Sequence, residues 1–545
     1  MGLNIKTVLM IACGLLIACL IACKPVAPKL STPEIYPRPD REEAYFEQYE
    51  AATKLVPTLA QSEHFSLWSE IPDATARLIL QDLENLRIAL LDYHNISSTL
   101  PDMPIDIIMV DNFEYYDAFG IGHSSVGFYS RGLLGPTIII NLSEIEFSPN
   151  ELWSTLYHEY AHHFHATHLP YKTPLWLNEG LAEYAASFRR TETGYGFGHD
   201  DDARINILRT YRGEWLDMRK MVQSLHDYPY IPGYYGEAAA KRTYLYYHQS
   251  WLIAMWMQQT EEGAATLERL IQKLDAGEPI EGAFSESFHE DLLSYAQSFS
   301  PFQDTHDLPD TSFPDADITI EPLAAGKLPA RITLQLLAEG NAADFPNVMS
   351  ELRRKMAPYN RKTSIGRAIT ALKYFDFGYF LDAVAELSDA NSTPEFYPAI
   401  AHLDARLNVH IHNENLLANL SGGHRNAHII HTNETIQTAI SKRPGDIDLD
   451  IISVGLLGRN AYNLSPAHTA SAQRILESGH HKRNPMQALN LIYPFLSLQE
   501  FDEAEAIIAR AKLWDTDLTP LESNRFDDVM LDIEARRKAF ADRDK

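Results

Sequence analysis

Apolar residues recur at helical spacing through most of the chain, and strand-like patterns are confined to its first third. Alternation predicts a strand at 64–69, and β-branched content predicts strands at 104–110 and 137–141, with a short one at 127–129. Leucines and isoleucines spaced as on one helical face predict a helix at about 73–95. A further helix is predicted at 42–56. The pattern therefore predicts an α+β fold with a small mixed sheet.

A long helix is predicted directly after the strand at 137–141. Ser148 is a suitable N-cap, Pro149 fits the first helical position and Glu151 completes a capping box, so the helix should cover about 149–167. Helices are also predicted from 244 to about 258, at 267–276 and at 286–298. The region between the motif helix and residue 300 is therefore expected to be largely helical.

A proline- and aspartate-rich stretch at 301–325 predicts a linker between residues 41–300 and an all-helical part at 326–545. Residues 371–387 and 491–506 each resemble one tetratricopeptide unit. The resemblance implies an array of helical hairpins with a concave surface for a protein partner. A plain helical bundle that buttresses the first domain is the alternative.

The amino terminus has the pattern of a targeting segment. Lys6 precedes an uncharged apolar run at 7–23, and five prolines follow within 24–40. The sequence Leu-Ile-Ala-Cys ending at Cys23 resembles a bacterial lipobox, as does the one ending at Cys19. We favour Cys23, because a polar segment begins at Lys24. The resemblance implies a signal peptide at 1–23, lipidation of Cys23, a tether at 24–40 and an outer-membrane location facing the periplasm. A membrane-spanning anchor is the alternative.

Composition narrows the function classes. The chain has 545 residues and a net charge of −28, a length that suggests roughly two to four domains. Such acidity argues against nucleic acid as a partner and against electrostatic binding to anionic lipid. All three cysteines lie in the first 23 residues. Thiolate metal sites and cysteine nucleophiles are therefore excluded from the remainder of the chain.

The candidate chemistry lies at Tyr157-His158-Glu159-Tyr160-Ala161-His162, a His-Glu-x-x-His motif inside the predicted helix. On a helix, His158 and His162 project from one face and can bind a single Zn²⁺. Glu159 can act as general base on a metal-bound water. The segment Trp176-Leu177-Asn178-Glu179-Gly180 follows and supplies Glu179 as a plausible third ligand.

These two segments together resemble the gluzincins, the zinc peptidases whose ligands are His, His and Glu. The resemblance covers about 60–300 and implies a gluzincin-like catalytic domain with one zinc ion on His158, His162 and Glu179. The chain has no Gly-x-Met-Glu-Asn segment, which binds the substrate amine in aminopeptidases. The thermolysin-like "peptidase MA" group therefore fits better, and the expected enzyme is an endopeptidase.

The resemblance also implies roles for residues outside the ligand set. Glu183 would hydrogen-bond and orient His158, whereas the alternative is a solvated carboxylate. Tyr247, in a Tyr-x-x-Ser pattern on a later helix, would stabilise the oxyanion, with Tyr244 and Tyr246 as rivals and an aromatic core stripe as the alternative. In zinc peptidases an edge strand before the motif helix commonly binds the substrate backbone, and 137–141 is either that strand or an ordinary buried one.

The sequence thus predicts a membrane-anchored zinc metallopeptidase of the bacterial cell envelope, acting on a peptide or protein substrate. The alternative is an inactive peptidase-like lipoprotein that binds protein partners through its helical repeats. A loose group of histidines in the second half fits no ligand pattern and is expected at the surface: His402, His410, His412, His424, His428 and His431.

Overall fold

The computed structural model describes residues 56–97, 104–120, 126–145, 149–169, 171–190, 194–197, 202–225, 237–299, 304–307, 313–340, 342–393, 398–413, 422–442, 446–457, 464–514 and 520–543. The predicted signal peptide, Cys23, the tether and nearly all of the predicted helix at 42–56 lie outside these residues. The predicted cap residue Ser148 also lies outside them.

The strands form two sheets. The larger has six strands in the order β4-β5-β3-β2-β1-β9, with β2, β3 and β5 mutually parallel and the other pairings antiparallel. A second sheet has the order β6-β7-β8. The strands are β1 (Thr58–Gln61), β2 (Phe65–Ser69), β3 (Ile105–Val110), β4 (Gly127–Gly132), β5 (Gly135–Asn141), β6 (Arg189–Arg190), β7 (Gly194–Phe197), β8 (Asp304–Asp307) and β9 (Thr319–Pro322).

Helices surround the larger sheet in the first part of the chain. They are α1 (Asp73–Tyr93), α2 (Phe113–Asp117), α3 (Leu142–Ile145), α4 (Pro149–His168), α5 (Leu175–Ala185), α6 (Asp202–Thr210), α7 (Met218–Gln223), α8 (Glu237–Gln259), α9 (Glu261–Ala276) and α10 (Phe288–Ser298). The predicted bounds of the helices at 73–95 and 149–167 are confirmed to within two residues.

The described part of the second half is helical after β9. Its helices are α11 (Lys327–Ala338), α12 (Pro346–Lys355), α13 (Ser364–Asp376), α14 (Phe380–Asn391), α15 (Pro398–Asn413), α16 (Gly422–Lys442), α17 (Ile447–Gly455), α18 (Pro466–Ser478), α19 (Pro485–Ala488), α20 (Ile492–Ser497), α21 (Phe501–Trp514) and α22 (Pro520–Arg543). The two segments that resemble tetratricopeptide units form the packed helix pairs α13–α14 and α20–α21.

The larger sheet is buried on both faces, and every residue of β3 is buried; its one charged residue, Asp106, pairs with Arg331. Ile107 and Met109 face a core shared with α1, α4, α5 and α8. Ile108 and Val110 face the opposite core, which is shared with α11 to α15. The helices that follow β9 therefore pack directly on the sheet. The prediction of an α+β fold with a small mixed sheet is confirmed at this level.

The predicted linker at 301–325 contributes two strands. β8 pairs with β7, and β9 pairs with β1 over four residue positions, from Thr58 opposite Pro322 to Gln61 opposite Thr319. The proline-rich composition marked a break in helical structure, and two short pieces of this segment, Asp304–Asp307 and Thr319–Pro322, are strands integrated into the two sheets.

The strand that precedes α4 is not an edge. β5 pairs with β3 on one side and with β4 on the other, so its backbone groups are already used. The interpretation of 137–141 as a substrate-binding edge is therefore wrong. Within the described residues, β4 pairs with β5 alone and forms that edge of the sheet. No helix among the described residues combines the length and the apolar character needed to cross a membrane.

Candidate metal centre

Helix α4 is fixed between α1 and the sheet by polar contacts of buried side chains. Trp153 donates from Nε1 to the Asp82 carboxylate at 2.9 Å, and the Tyr157 hydroxyl donates to the same oxygen at 3.4 Å. On another side, the Tyr129 hydroxyl lies 3.2 Å from Nδ1 of His163. His163 thus has a packing role, and the helix that carries the motif is held against rotation.

Helix α5 brings Glu179 to α4 because it packs very closely on α8. A Cβ atom at Gly180 would lie 2.2 Å from the backbone oxygen of Ser250 and 3.0 Å from the Ala254 methyl. Only glycine permits this approach of two backbones. The spacing between α5 and α8 therefore depends on one residue next to the candidate ligand.

Substituting Gly180 with Ala should destabilise the fold by about 3 kcal/mol, because the new methyl meets backbone rather than a side chain that can move. The measurement is the free energy of unfolding in urea. Gly213→Ala is the matched control, since nothing lies within 4 Å of the position of its added methyl. Equal stability of the two variants would refute the close-packing argument.

Three ligand atoms converge between α4 and α5. The Nε2 atoms of His158 and His162 are 3.0 Å apart, and one Glu179 carboxylate oxygen lies 3.4 and 3.5 Å from them. Ligands of a tetrahedral zinc ion with bonds of about 2.0–2.1 Å are about 3.3 Å apart. The donor set of two imidazoles and a carboxylate also suits zinc. These residues therefore fit a single Zn²⁺ ion.

The charge balance of the site favours a cation. His158, His162 and Glu179 are each at most 5 % exposed, and Glu159 is fully buried beside them. Burial alone would lower the pKa of His162, but Glu179 and then Glu159 raise it to about 9. Burial alone would raise the pKa of Glu179, but the two imidazoles lower it. The two glutamates therefore stabilise a positive charge placed between the ligand atoms.

Neighbouring polar groups orient both imidazoles. Nδ1 of His158 lies 3.4 Å from a Glu183 oxygen, and the other Glu183 oxygen pairs with Arg204. The Asn178 amide lies 2.8 Å from Nδ1 of His162. An acceptor on Nδ1 takes its proton and leaves Nε2 free for a metal, as the Glu183 carboxylate does for His158 and as the Asn178 amide does for His162 when its oxygen faces the ring. Sequence reasoning missed Arg204 and the contact of Asn178, because neither follows from the spacing of the motif.

Tyr247 is the predicted tyrosine whose ring contacts a candidate ligand. Its ring centroid is 6.5 Å from that of His158, and the side chain is 5 % exposed. Tyr244 packs on the His248 ring at 4.1 Å, and Tyr246 belongs to the core around α8. The three tyrosines therefore have different surroundings, although their spacing in the sequence did not separate them.

The predicted surface location of His402 is wrong, because the residue is fully buried. It lies 3.5 Å from Asp446, and together with Asp448 these residues form a second group close enough to share an ion. Asp448 already accepts two hydrogen bonds from Arg131, the shorter of 2.7 Å. A buried ion-pair network accounts for this group. His410 is in contact with Phe375, and the side chains of His412, His424 and His428 lie outside the described residues.

The second half of the chain holds the end of α4. Arg483 donates from Nε to the Leu169 carbonyl and from Nη2 to the His168 carbonyl at 3.2 Å. A cation that binds the last carbonyls of a helix also interacts favourably with its dipole. Arg483 thus links the C-terminal helices to the helix that carries the motif. Its partner Leu169 lies 314 residues before it in the chain.

His480, three residues before Arg483, should make stability pH-dependent. It is 3 % exposed, and burial lowers its pKa to about 4, with Asp448 opposing the shift and Arg131 adding to it. The unfolded chain takes up this proton first as the pH falls below about 6.5. Stability should therefore be lost between pH 6.5 and 4, by roughly 3 kcal/mol for this group. Urea unfolding at pH 7 and pH 4.5 measures the loss, and His480→Gln should reduce it. An unchanged loss in the variant would contradict the assignment.

Comparisons with known proteins identified no relative. No protein-family model matches the chain, and no curated protein or solved structure matches it.

Proposed function

We propose that the chain is a zinc-dependent metallopeptidase that hydrolyses peptide bonds. The observation that carries the proposal is the convergence of His158, His162 and Glu179 at mutual distances of 3.0–3.5 Å, which match the spacing of tetrahedral zinc ligands. The buried Glu159 adjoining the ligands distinguishes a hydrolytic centre from a purely structural zinc site.

A zinc ion held there supplies a Lewis acid and lowers the pKa of a water molecule. Glu159 accepts the proton of the attacking water and passes it to the leaving amine. The hydroxyl of Tyr247 donates a hydrogen bond to the developing oxyanion. Glu183, itself paired with Arg204, keeps His158 in the tautomer whose Nε2 is available as a ligand.

The edge strand β4 is the proposed binding surface for an extended substrate. It is adjacent to α4, as the contact between Tyr129 on β4 and His163 on α4 shows. An added strand would extend the sheet through backbone hydrogen bonds and bring its peptide bond toward α4. Attachment to the cell envelope through a lipidated Cys23 forms part of the proposal.

The test uses the purified full chain and a peptide library of mixed sequence, with new termini detected by mass spectrometry. We expect cleavage that stops when a chelator removes zinc and resumes when zinc is restored. Cleavage that is insensitive to chelator would overturn the metal mechanism. Stoichiometric zinc without cleavage of any peptide would favour the alternative, an inactive binding protein.

A further inference from the structure

A cavity lies where the first and second halves of the chain meet, next to the C-terminal end of α4. Its volume is about 90 Å³, which is room for about three water molecules. One wall comes from β4 and from the segment that runs from the end of α4 into α5. The opposite wall comes from α15, α17, α21 and the segment around α19. The cavity therefore exists only when the two halves are packed together.

Positive charge is in excess around this cavity. The basic residues that line it are Arg131, Lys172, Arg406 and Arg483. Asp448 is the one acidic residue in the lining, and Arg131 and Arg406 contact it at 2.7 and 3.6 Å. Asp446 adds a second negative charge, because one of its oxygens lies within 4.8 Å of an Asp448 oxygen. Four cations against two carboxylates leave an excess of two positive charges, in a chain whose net charge is −28.

Arg483 has no carboxylate partner among the residues that the structure describes. Its guanidinium contacts three backbone carbonyls and a ring nitrogen of His480. Burial and the charge of Arg131 lower the pKa of Arg483 to about 9. Arginine nevertheless stays protonated at neutral pH, and a partly buried cation without a counter-charge destabilises the fold. An anion bound in the cavity would offset this cost.

Several hydrogen-bond donors that line the cavity are unused. Arg131 binds Asp448 through Nε and Nη2, which leaves Nη1 without a hydrogen bond to any described residue. The Tyr171 hydroxyl and the Gln487 amide nitrogen likewise have no partner within the described part of the chain, although Tyr171 is only 8 % exposed. Nδ1 of His165 is buried without a partner as well. Since buried polar groups are nearly always satisfied, unused donors around one cavity indicate a ligand with several acceptor atoms.

We propose that this cavity binds a phosphate group. A phosphate group carries a charge of about −1.5 to −2 at neutral pH, which matches the excess of two positive charges. Its oxygens accept hydrogen bonds, so it suits a lining of guanidinium, ammonium, hydroxyl and amide donors. Free phosphate and a phosphate monoester share this chemistry.

A bound phosphate would join the two halves of the chain. Tyr171 and Lys172 lie in the connection between α4 and α5, the helices that carry the candidate zinc ligands, and Arg483 lies between α18 and α19. The unfolded chain does not form the cavity. Phosphate should therefore raise the urea concentration at which the protein unfolds.

Calorimetric titration of the full chain with inorganic phosphate tests the proposal directly, with chloride at equal ionic strength as the reference. We expect saturable binding of about one phosphate per chain and no saturable binding of chloride. A second titration with glycerol 3-phosphate separates the two sources of the ligand. Binding as strong as that of phosphate assigns the site to monoesters, and absence of binding assigns it to free phosphate. A chain that binds neither would overturn the proposal.

Phosphate can also bind a zinc ion, so the same titration is made with the double variant His158→Asn, His162→Asn, in which phosphate binding should persist. Tyr171→Phe and Lys172→Met should each weaken it about tenfold, since each removes one donor to a charged group and keeps the size of the side chain.

Matched controls make the same changes at exposed positions outside the cavity. Tyr374→Phe and Lys220→Met should bind phosphate like the wild type. Wild-type affinity in both cavity variants would overturn the proposal. Loss of binding in the double histidine variant would overturn it too, because phosphate would then be bound at the zinc site.

Discussion

Substitution of Glu159 with Gln should lower peptide hydrolysis by on the order of a thousandfold while zinc remains bound. Glutamine has the shape of glutamate but cannot accept the proton of the attacking water. Glu159 is fully buried and lies beside the candidate ligands without belonging to the triad of converging atoms. The variant should therefore lose the chemical step and keep the metal.

The measurement is the rate of peptide cleavage, with zinc content determined on the same sample. Glu278→Gln is the matched control, because Glu278 is an exposed carboxylate paired with Lys273 away from the site. The control should retain full activity. A Glu159→Gln variant with normal cleavage would show that another group takes the proton.

The second large effect is expected at Glu179. Glu179→Gln should weaken zinc binding by at least about a hundredfold, since a neutral amide oxygen replaces the carboxylate, which is the one anionic ligand of the three. The same change also removes the carboxylate that raises the pKa of His162. Competition with a chromogenic zinc chelator gives the affinity, and circular dichroism checks that the variant is folded.

A comparison with Glu183→Gln distinguishes a ligand from its support. Glu183 contacts His158 through Nδ1, so its loss should weaken zinc binding only about tenfold. Affinities that fall in the opposite order would mean that Glu183 binds the metal and Glu179 does not. Activity should decrease in both variants in proportion to the zinc that they retain.

Local patterns allowed the helices and strands around the site to be predicted. Helix α4 follows from the start signals at Ser148, Pro149 and Glu151, and the four-residue spacing of His158 and His162 then places both on one face. Helix α5 likewise carries Glu179 and Glu183 one turn apart. The predicted ligand set therefore depends on residue spacings within two helices that follow one another in the chain.

Long-range pairings could not be read from the same patterns. The sequence identified β5 as a strand but did not determine its neighbours, so its position inside the sheet was missed. β9 pairs with a strand about 260 residues earlier, and no local signal indicates this. Arg204, Arg483 and His402 acquire their partners only when distant elements pack together. Charge networks of this kind follow from the tertiary structure.

The zinc content of the purified full chain tests the central claim most directly. Elemental analysis should find about one zinc per chain, and the double variant His158→Asn, His162→Asn should retain almost none while unfolding at a measurable urea concentration. Wild-type protein without zinc after exposure to the metal would contradict the account. Zinc retained undiminished by the double variant would contradict it equally.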